Sequence, residues 1–376
     1  MKFSLLRTTI IAALGGLLFG FDTAVISGTT GWLTDIYQLS PAGLGFTVSS
    51  ALIGTILGAA LTGRPADIWG RRTILSIIAL LYFVSAVGSG LAWDWYSLLF
   101  FRFIGGLGVG GASVASPMYI AEISPARYRG RLVAITQFNI VFGILLAFFC
   151  NYLIVQLDLG ASEWRWMFGI EALPAGAFFL LLFLTPLSPR WLIAQGRVNE
   201  ARSVLHWLGT DPRSIQKRIE EIESSLNLDP HSSQEPLFCK AHRKPILLAI
   251  AIAMFNQLSG INALMYYAPY IFRMAGAGED SALLQSVAVG GTNLIFTMGA
   301  LLIIDHLGRR MLMLVGSIGY ILSLSVTAVT FYTQGTSFSS TGSTVVLASL
   351  IVFIASHAFG QGTVIWVFIS EIFPNH

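Results

Sequence analysis

The sequence predicts an all-α protein that crosses a membrane about ten times, built as two related helical bundles joined by a charged linker. Composition is the first reason. Hydrophobic residues make up 55% of the 376 and charged residues only 11%, whereas soluble domains carry roughly a quarter charged residues, and the mean hydropathy is +0.72. The second is the recurrence of apolar windows of about 20 residues, the length that spans a bilayer. The third is a pair of loop signatures that occurs twice in the same order.

The windows fall at about 8–28, 44–63, 73–91, 97–120, 131–155, 166–186, 246–272, 282–304, 311–332 and 344–369. The first resembles a secretory leader, but it lacks a small-residue cleavage site and carries Asp22 late in its length, so it reads as a retained helix. The fourth contains IGGLGVGGAS, a run of small residues that lets helix backbones approach closely. The sixth holds Glu171 within FGIEALPAG. In the seventh, FNQLSGINALMYYAP, Ser259 and Gly260 are placed to unwind the helix locally. Between the sixth and seventh, residues 188–244 carry charges of both signs and two amphipathic pieces, ARSVLHWLG and IQKRIEEIESSL. So few apolar positions make a poor independent core, so this stretch reads as a linker with short helices.

The basic residues set the orientation. Lys2 and Arg7 precede the first window, Arg64, Arg71 and Arg72 follow the second, Arg127, Arg129 and Arg131 follow the fourth, nine fall in the linker, and Arg309 and Arg310 follow the eighth. All of these segments share one side, and only Arg165 and Arg273 fall on the other. Basic loops mark the cytoplasmic face, so the N-terminus is expected on the cytoplasmic side of a cell (plasma or inner) membrane. The same clustering explains the pI of about 8.9 without nucleic acid. Two cysteines, Cys150 and Cys239, make neither a disulfide framework nor a metal-ligand set.

The repeat defines the domains. ADIWGRR at 66–72 returns as IDHLGRR at 304–310, and YIAEISP around Glu122 returns as FISEIFP around Glu371. Two six-helix bundles therefore flank the linker, a plan common in secondary transporters: 1–187, 188–244 as linker, and 245–376. By the repeat, the second bundle stops after its fourth helix, and two helices are expected beyond His376.

Asp22 is the chemical anomaly, because a carboxylate inside a bilayer costs about 2.5–3.5 kcal/mol on insertion scales. It lies about 22 Å along the first helix from Arg7, and Arg102 lies roughly 9 Å in from the outer end of the fourth at 1.5 Å per residue, so the two share a depth. Burial disfavours a carboxylate's charge and a guanidinium favours it. Arginine keeps its proton, so Asp22 is the titrating partner of a proton switch, or else one half of a static lock. Glu171 is a second buried acid. The repeated loops supply gate ion pairs from Asp67, Arg71, Arg72, Glu122 and Arg129, and from Asp305, Arg309, Arg310 and Glu371. Uncharged amides suit a polyhydroxyl ligand because they both donate and accept. The candidates are Gln137, Asn139, Asn256, Gln257, Asn262, Asn293 and Gln361, with aromatic faces from Tyr266, Tyr267 and Trp366.

At these residues the chain resembles the sugar porter family of the major facilitator superfamily: GFDTAVISG, SPMYIAEISPARYRG, SPRWL, QLSGINALMYYAP and SEIFP occur in the family's order. The resemblance implies a central sugar site, alternating access, and sugar contacts at Gln137, Gln257, Asn262 and Asn293, with Asn256 standing where the family often has Gln. It also implies that Asp22, in place of the Asn of animal facilitative glucose transporters, marks a proton symporter similar to bacterial pentose and hexose porters. The chain departs from the family pattern at Ile68, His306, Leu187 and Thr363.

An enzyme is not expected. Ser356 and His357 adjoin in an apolar window without an acid to complete a triad, and His206, His231 and His242 lack metal-ligand spacing. The expectation is a monomeric, cofactor-free, proton-coupled monosaccharide importer. The alternatives are an uncoupled facilitator and a non-transporting sensor or inactive truncated product.

Overall fold

The computed structural model describes residues 2–227, 243–335 and 338–365. The first six windows become α1 (Phe3–Tyr37), α2 (Pro41–Trp69), α3 (Arg71–Gly90), α4 (Trp95–Ile123), α5 (Arg129–Gln156) and the pair α6 (Glu163–Gly169) and α7 (Ala172–Leu182). The linker forms α8 (Pro189–Ala194), α9 (Val198–Leu208) and α10 (Pro212–Asn227). The remaining windows become α11 (Arg243–Leu258) with α12 (Ile261–Met274), α13 (Glu279–Leu307), α14 (Arg309–Gln334) and α15 (Ser340–His357), which runs into a π-turn over Ala358–Gly362. Among the described residues, ten spans are long and apolar enough to cross a membrane.

Most helices overshoot the apolar windows. α1 has 35 residues, about 52 Å at 1.5 Å each, against a hydrocarbon core of about 30 Å. Hydropathy finds only the lipid-facing length. The ends are set by capping, as where Ser40 accepts from the Gly43 amide and Asp94 and Ser97 form a capping box.

The chain divides into two compact units. One comprises Met1–Asp22, Trp32–Gly143 and Gly160–Gln234. Its core joins α1, α3, α4 and α7 through Leu18, Ile78, Tyr82, Tyr119 and Phe178. Here α2 and α4 touch backbone to backbone: a Cβ on Gly106 would stand 2.0 Å from the Ala51 carbonyl, and one on Gly110 would stand 2.0 Å from that of Thr55. The glycine run of α4 is thus a packing device.

The linker departs from expectation. Leu192, Leu205, Ile215, Ile219 and Ile222 give α8–α10 a small core of their own, with Leu187 packed against it. The segment is also pinned to the start of α1: Ser4 donates to the Trp207 carbonyl at 2.7 Å, and the Arg7 guanidinium lies 5.4 Å over the Trp207 ring. An apolar stripe on each short helix, summed over three helices, supplies what no single one could.

The other unit comprises Thr23–Gly31, Ile144–Leu159 and Glu235–His376. α14 packs on α15 and its π-turn, and Ile304, Leu312 and Val364 form a buried cluster. The repeat is visible in the backbone. Gly70 ends α2 at φ 87°, ψ 150°, and Gly308 ends α13 at φ 78°, ψ 152°, each donating to the carbonyl four residues back. Both helices have 29 residues.

Gly106→Val drives a branched side chain into the Ala51 carbonyl and is expected to lower the stability of the detergent-purified protein by about 1–3 kcal/mol. Gly63→Ala, with nothing within 4 Å of the new methyl, is expected to leave the thermal midpoint undiminished; a melt of both variants checks this.

Candidate functional site: a buried charge cluster and a polar helix break

The sequence places Asp22 in the middle of α1 and Arg102 two turns into α4, and the first unit brings them together. Arg102 Nη1 lies 2.5 Å from Asp22 Oδ1, Nη2 reaches the Asp22 carbonyl at 3.4 Å, and both residues are 2% exposed. The guanidinium rests 5.4 Å from the centre of the Phe168 ring on α6, a contact that favours a cation. Glu171, 3% exposed, sits where the sixth span breaks between α6 and α7, and it interacts electrostatically with both Asp22 and Arg102. Its Oε1 is buried with no hydrogen-bond partner. The Tyr82 hydroxyl of α3 is likewise buried and unpaired, and Tyr82 lies in the field of both acids.

Two carboxylates and one guanidinium thus share a buried compartment. Such a cluster is neutral when it holds one proton, and removing one member of a buried pair leaves an uncompensated charge. Tyr82 and Phe168 were not singled out from sequence. A tyrosine in an apolar window is the weak signal for Tyr82, and nothing in the sequence marks Phe168.

At the end of the first unit that carries Arg71, a second cluster forms. Arg71 pairs with Asp67 at 2.8 Å and with Glu122 at 2.9 Å, and donates to the Ala66 carbonyl at 3.0 Å. Glu122 therefore takes Arg71 and not Arg129, whose side chain is exposed. Arg129 lies six residues beyond the end of α4, past a loop and a 3₁₀ turn, whereas Arg71 starts the neighbouring α3. Ser188, which sequence reasoning missed, donates to Glu122 Oε2 at 2.5 Å and also caps α8. The SPRWL motif was the available signal for it. Arg72 reaches the Phe183 carbonyl at 3.3 Å. In the second unit Arg309 reaches the Ile304 carbonyl at 3.4 Å, repeating the Arg71 to Ala66 bond, and Arg310 is exposed. The Asp305 side chain, Glu371 and Trp366 lie outside the described residues.

The seventh span breaks where the sequence places the break. α11 ends at Leu258, Gly260 is left-handed at φ 88°, and α12 begins at Ile261. Across the break Asn262 Nδ2 donates to Gln257 Oε1 at 2.7 Å, and the Ser259 hydroxyl donates to the Asn256 carbonyl at 2.6 Å. Asn256 is 7% exposed and its Oδ1 has no partner. Asn293 on α13 is buried and accepts from Thr297 at 3.5 Å. Gln361 is committed to Ser317 of α14 at 3.0 Å, and Asn139 to the Ile135 carbonyl of its own helix at 3.0 Å. Gln137 on α5 is half-buried, in the first unit.

The comparisons with known proteins bear on this arrangement. The family described as "Sugar (and other) transporter" matches residues 8–376. The chain belongs to that family. The D-xylose-proton symporter of Escherichia coli K12 is 39% identical over 397 residues, covering 98% of this chain and 79% of the relative. The arabinose-proton symporter of Bacillus subtilis 168 is 39% identical over 371 residues, covering 97% and 78%. The xylose transporter XylE of E. coli, in a partially occluded inward-open conformation, superimposes with a TM-score of 0.87 at 37% identity, over 100% of this chain and 86% of that one. The transporter is an integral membrane protein of the major facilitator fold, and its relatives carry solutes and are not enzymes.

Arg102→Leu leaves Asp22 as a buried, unpaired acid beside Glu171 and is expected to cost about 3–5 kcal/mol. Adding Asp22→Asn removes the stranded charge and is expected to restore part of that loss, read as thermal unfolding of the purified transporter. Losses that simply add would show the two residues to be uncoupled.

Proposed function

We propose that the transporter imports a monosaccharide together with a proton by alternating access, and that Asp22, Arg102 and Glu171 are the proton-coupling group. The observation that carries this reading is the excess of one carboxylate over guanidinium in a buried compartment. With both acids ionised the cluster bears a net negative charge, and one proton neutralises it. A proton on Asp22 removes the Coulomb attraction that ties α1 to α4. Arg102 keeps its charge, and Glu171, with a free acceptor atom, is the carboxylate to which it then turns. Protonation thereby exchanges one helix–helix tie for another, which is the bistable element that coupling requires.

For the sugar, the proposed contacts are Gln137, Asn256, Gln257, Asn262, Asn293, Gln361 and Trp366. Amide groups at a broken helix offer donors and acceptors without charge, matching a hydroxyl-rich ligand. The sugars carried by the relatives, D-xylose and arabinose, support an aldopentose-sized monosaccharide. Asp67, Arg71, Arg72, Glu122 and Arg129, with Asp305, Arg309, Arg310 and Glu371, are the proposed gate residues. In each bundle an arginine at the start of a helix holds the glycine turn before it. The concentration of arginines at these loops supports an N-terminus on the cytoplasmic side of the cell membrane. The proposed organisation is a monomer in the bilayer, with bundles at 1–187 and 245–376 around the linker.

In proteoliposomes with an inward proton gradient, the transporter is expected to accumulate sugar and to alkalinise the outer medium. Asp22→Asn is expected to abolish accumulation while retaining counterflow exchange, because a fixed neutral side chain still permits the sugar-loaded transition. Accumulation by the Asn variant at the parent level would overturn the assignment.

A further inference from the structure

The gate residue Glu122 also borders a cavity of about 230 Å³ lined by Met118, Ala121, Arg129, Arg190, Arg218 and Ile222. The three arginines come from three elements, the start of α5, α8 and α10, so the cavity lies where the linker helices meet the end of α4. Its charge is unbalanced. Glu122 is engaged by Arg71 and Ser188 and also feels the charge of Arg190, and Arg218 is held by Glu221 at 3.2 Å, with the Glu221 carboxylate half-exposed. Arg129 and Arg190 have no carboxylate within ion-pair distance among the described residues. Arg190 and Arg218 are half-buried, so their charges are only partly screened by water.

We propose that this cavity binds a phosphate group, held by Arg129, Arg190 and Arg218. Guanidinium forks match phosphate oxygens bidentately. Three of them from three directions suit a tetrahedral group with several terminal oxygens, where a carboxylate would satisfy one fork. The volume equals about seven or eight waters at roughly 30 Å³ each, room for a phosphate monoester with part of its hydration. Apolar Met118, Ala121 and Ile222 line the rest, so the site takes a phosphate attached to a small organic body. Occupancy would cross-link α5, α8 and α10, tying the linker to the bundle beside the Glu122–Arg71 pair.

The test is a thermal melt of the purified full chain in a neutral, phosphate-free detergent, against inorganic phosphate and glycerol phosphate, with chloride at matched ionic strength. A second arm compares nanodiscs of phosphatidylcholine with nanodiscs containing phosphatidic acid, whose headgroup is a phosphate monoester. Phosphate is expected to raise the melting midpoint saturably where chloride does not. Arg190→Gln with Arg218→Gln is expected to weaken the half-saturating concentration at least tenfold, Arg190→Lys less, and Arg213→Gln on the exposed face of α10 not at all. A shift with soluble phosphate assigns the group to a soluble ligand, and a shift only with phosphatidic acid assigns it to a lipid headgroup. Equal shifts in phosphate and chloride, a phosphate shift untouched in the Arg190 and Arg218 variant, or no shift in either arm overturns the site. The readout is independent of sugar flux, so it stands or falls apart from the transport reading.

Discussion

A charge placed in hydrocarbon must be paired, and the Asp22–Arg102 contact is where this chain meets that constraint. Neither residue tolerates its position alone, because the desolvation of a lone carboxylate or guanidinium exceeds what local packing returns. The pairing therefore dictates that α1 and α4 lie side by side at that depth. The Phe168 ring beneath the guanidinium gives the pair a polarisable neighbour in the same buried site. The close approach of α2 to α4 at Gly106 and Gly110 fixes the helix that carries Arg102. Rigid packing lies on one side of the charge cluster and an unpaired Glu171 oxygen on the other.

At the end of the same unit a different electrostatic arrangement governs. Arg71 is shared among Asp67, Glu122 and a backbone carbonyl, and Glu122 is shared in turn with Ser188 at the start of the linker. The linker is thus mechanically continuous with the helices that hold the charge cluster. Its small core, and the seat of the first residues of α1 on Trp207, add to that continuity. The positive-φ glycine that introduces Arg71 recurs at Gly308, before Arg309, and an arginine-to-carbonyl bond follows in both cases. Duplication of the fold has preserved the turn and the bond while the neighbouring side chains diverged.

Much of this was legible before any coordinates. Composition and apolar windows specify an all-helical membrane protein with ten spans, because the bilayer filters sequence so strongly that length and hydropathy suffice. The repeat specified two related halves, and helix rise placed Arg102 at the depth of Asp22. The helix break at Ser259 and Gly260 was readable because glycine there can take the left-handed conformation the turn requires. Less legible were the helix ends, which depend on caps and water outside the hydrocarbon. The partner of Glu122 was also hidden, since Arg71 and Arg129 are equally basic and only packing separates them.

The sequence by itself therefore determined the class, the spans, the duplication and the identity of the expensive charges. All of these follow from one-dimensional spacing against a solvent of fixed thickness. Tertiary structure alone decided which polar groups are left over. Glu171 keeps an unpaired oxygen, Gln361 is committed to Ser317, and Arg129 and Arg190 line a cavity with no carboxylate at ion-pair distance from either among the described residues. Hydrogen-bond satisfaction depends on distances of a few ångströms between residues far apart in the chain, and no periodicity records those.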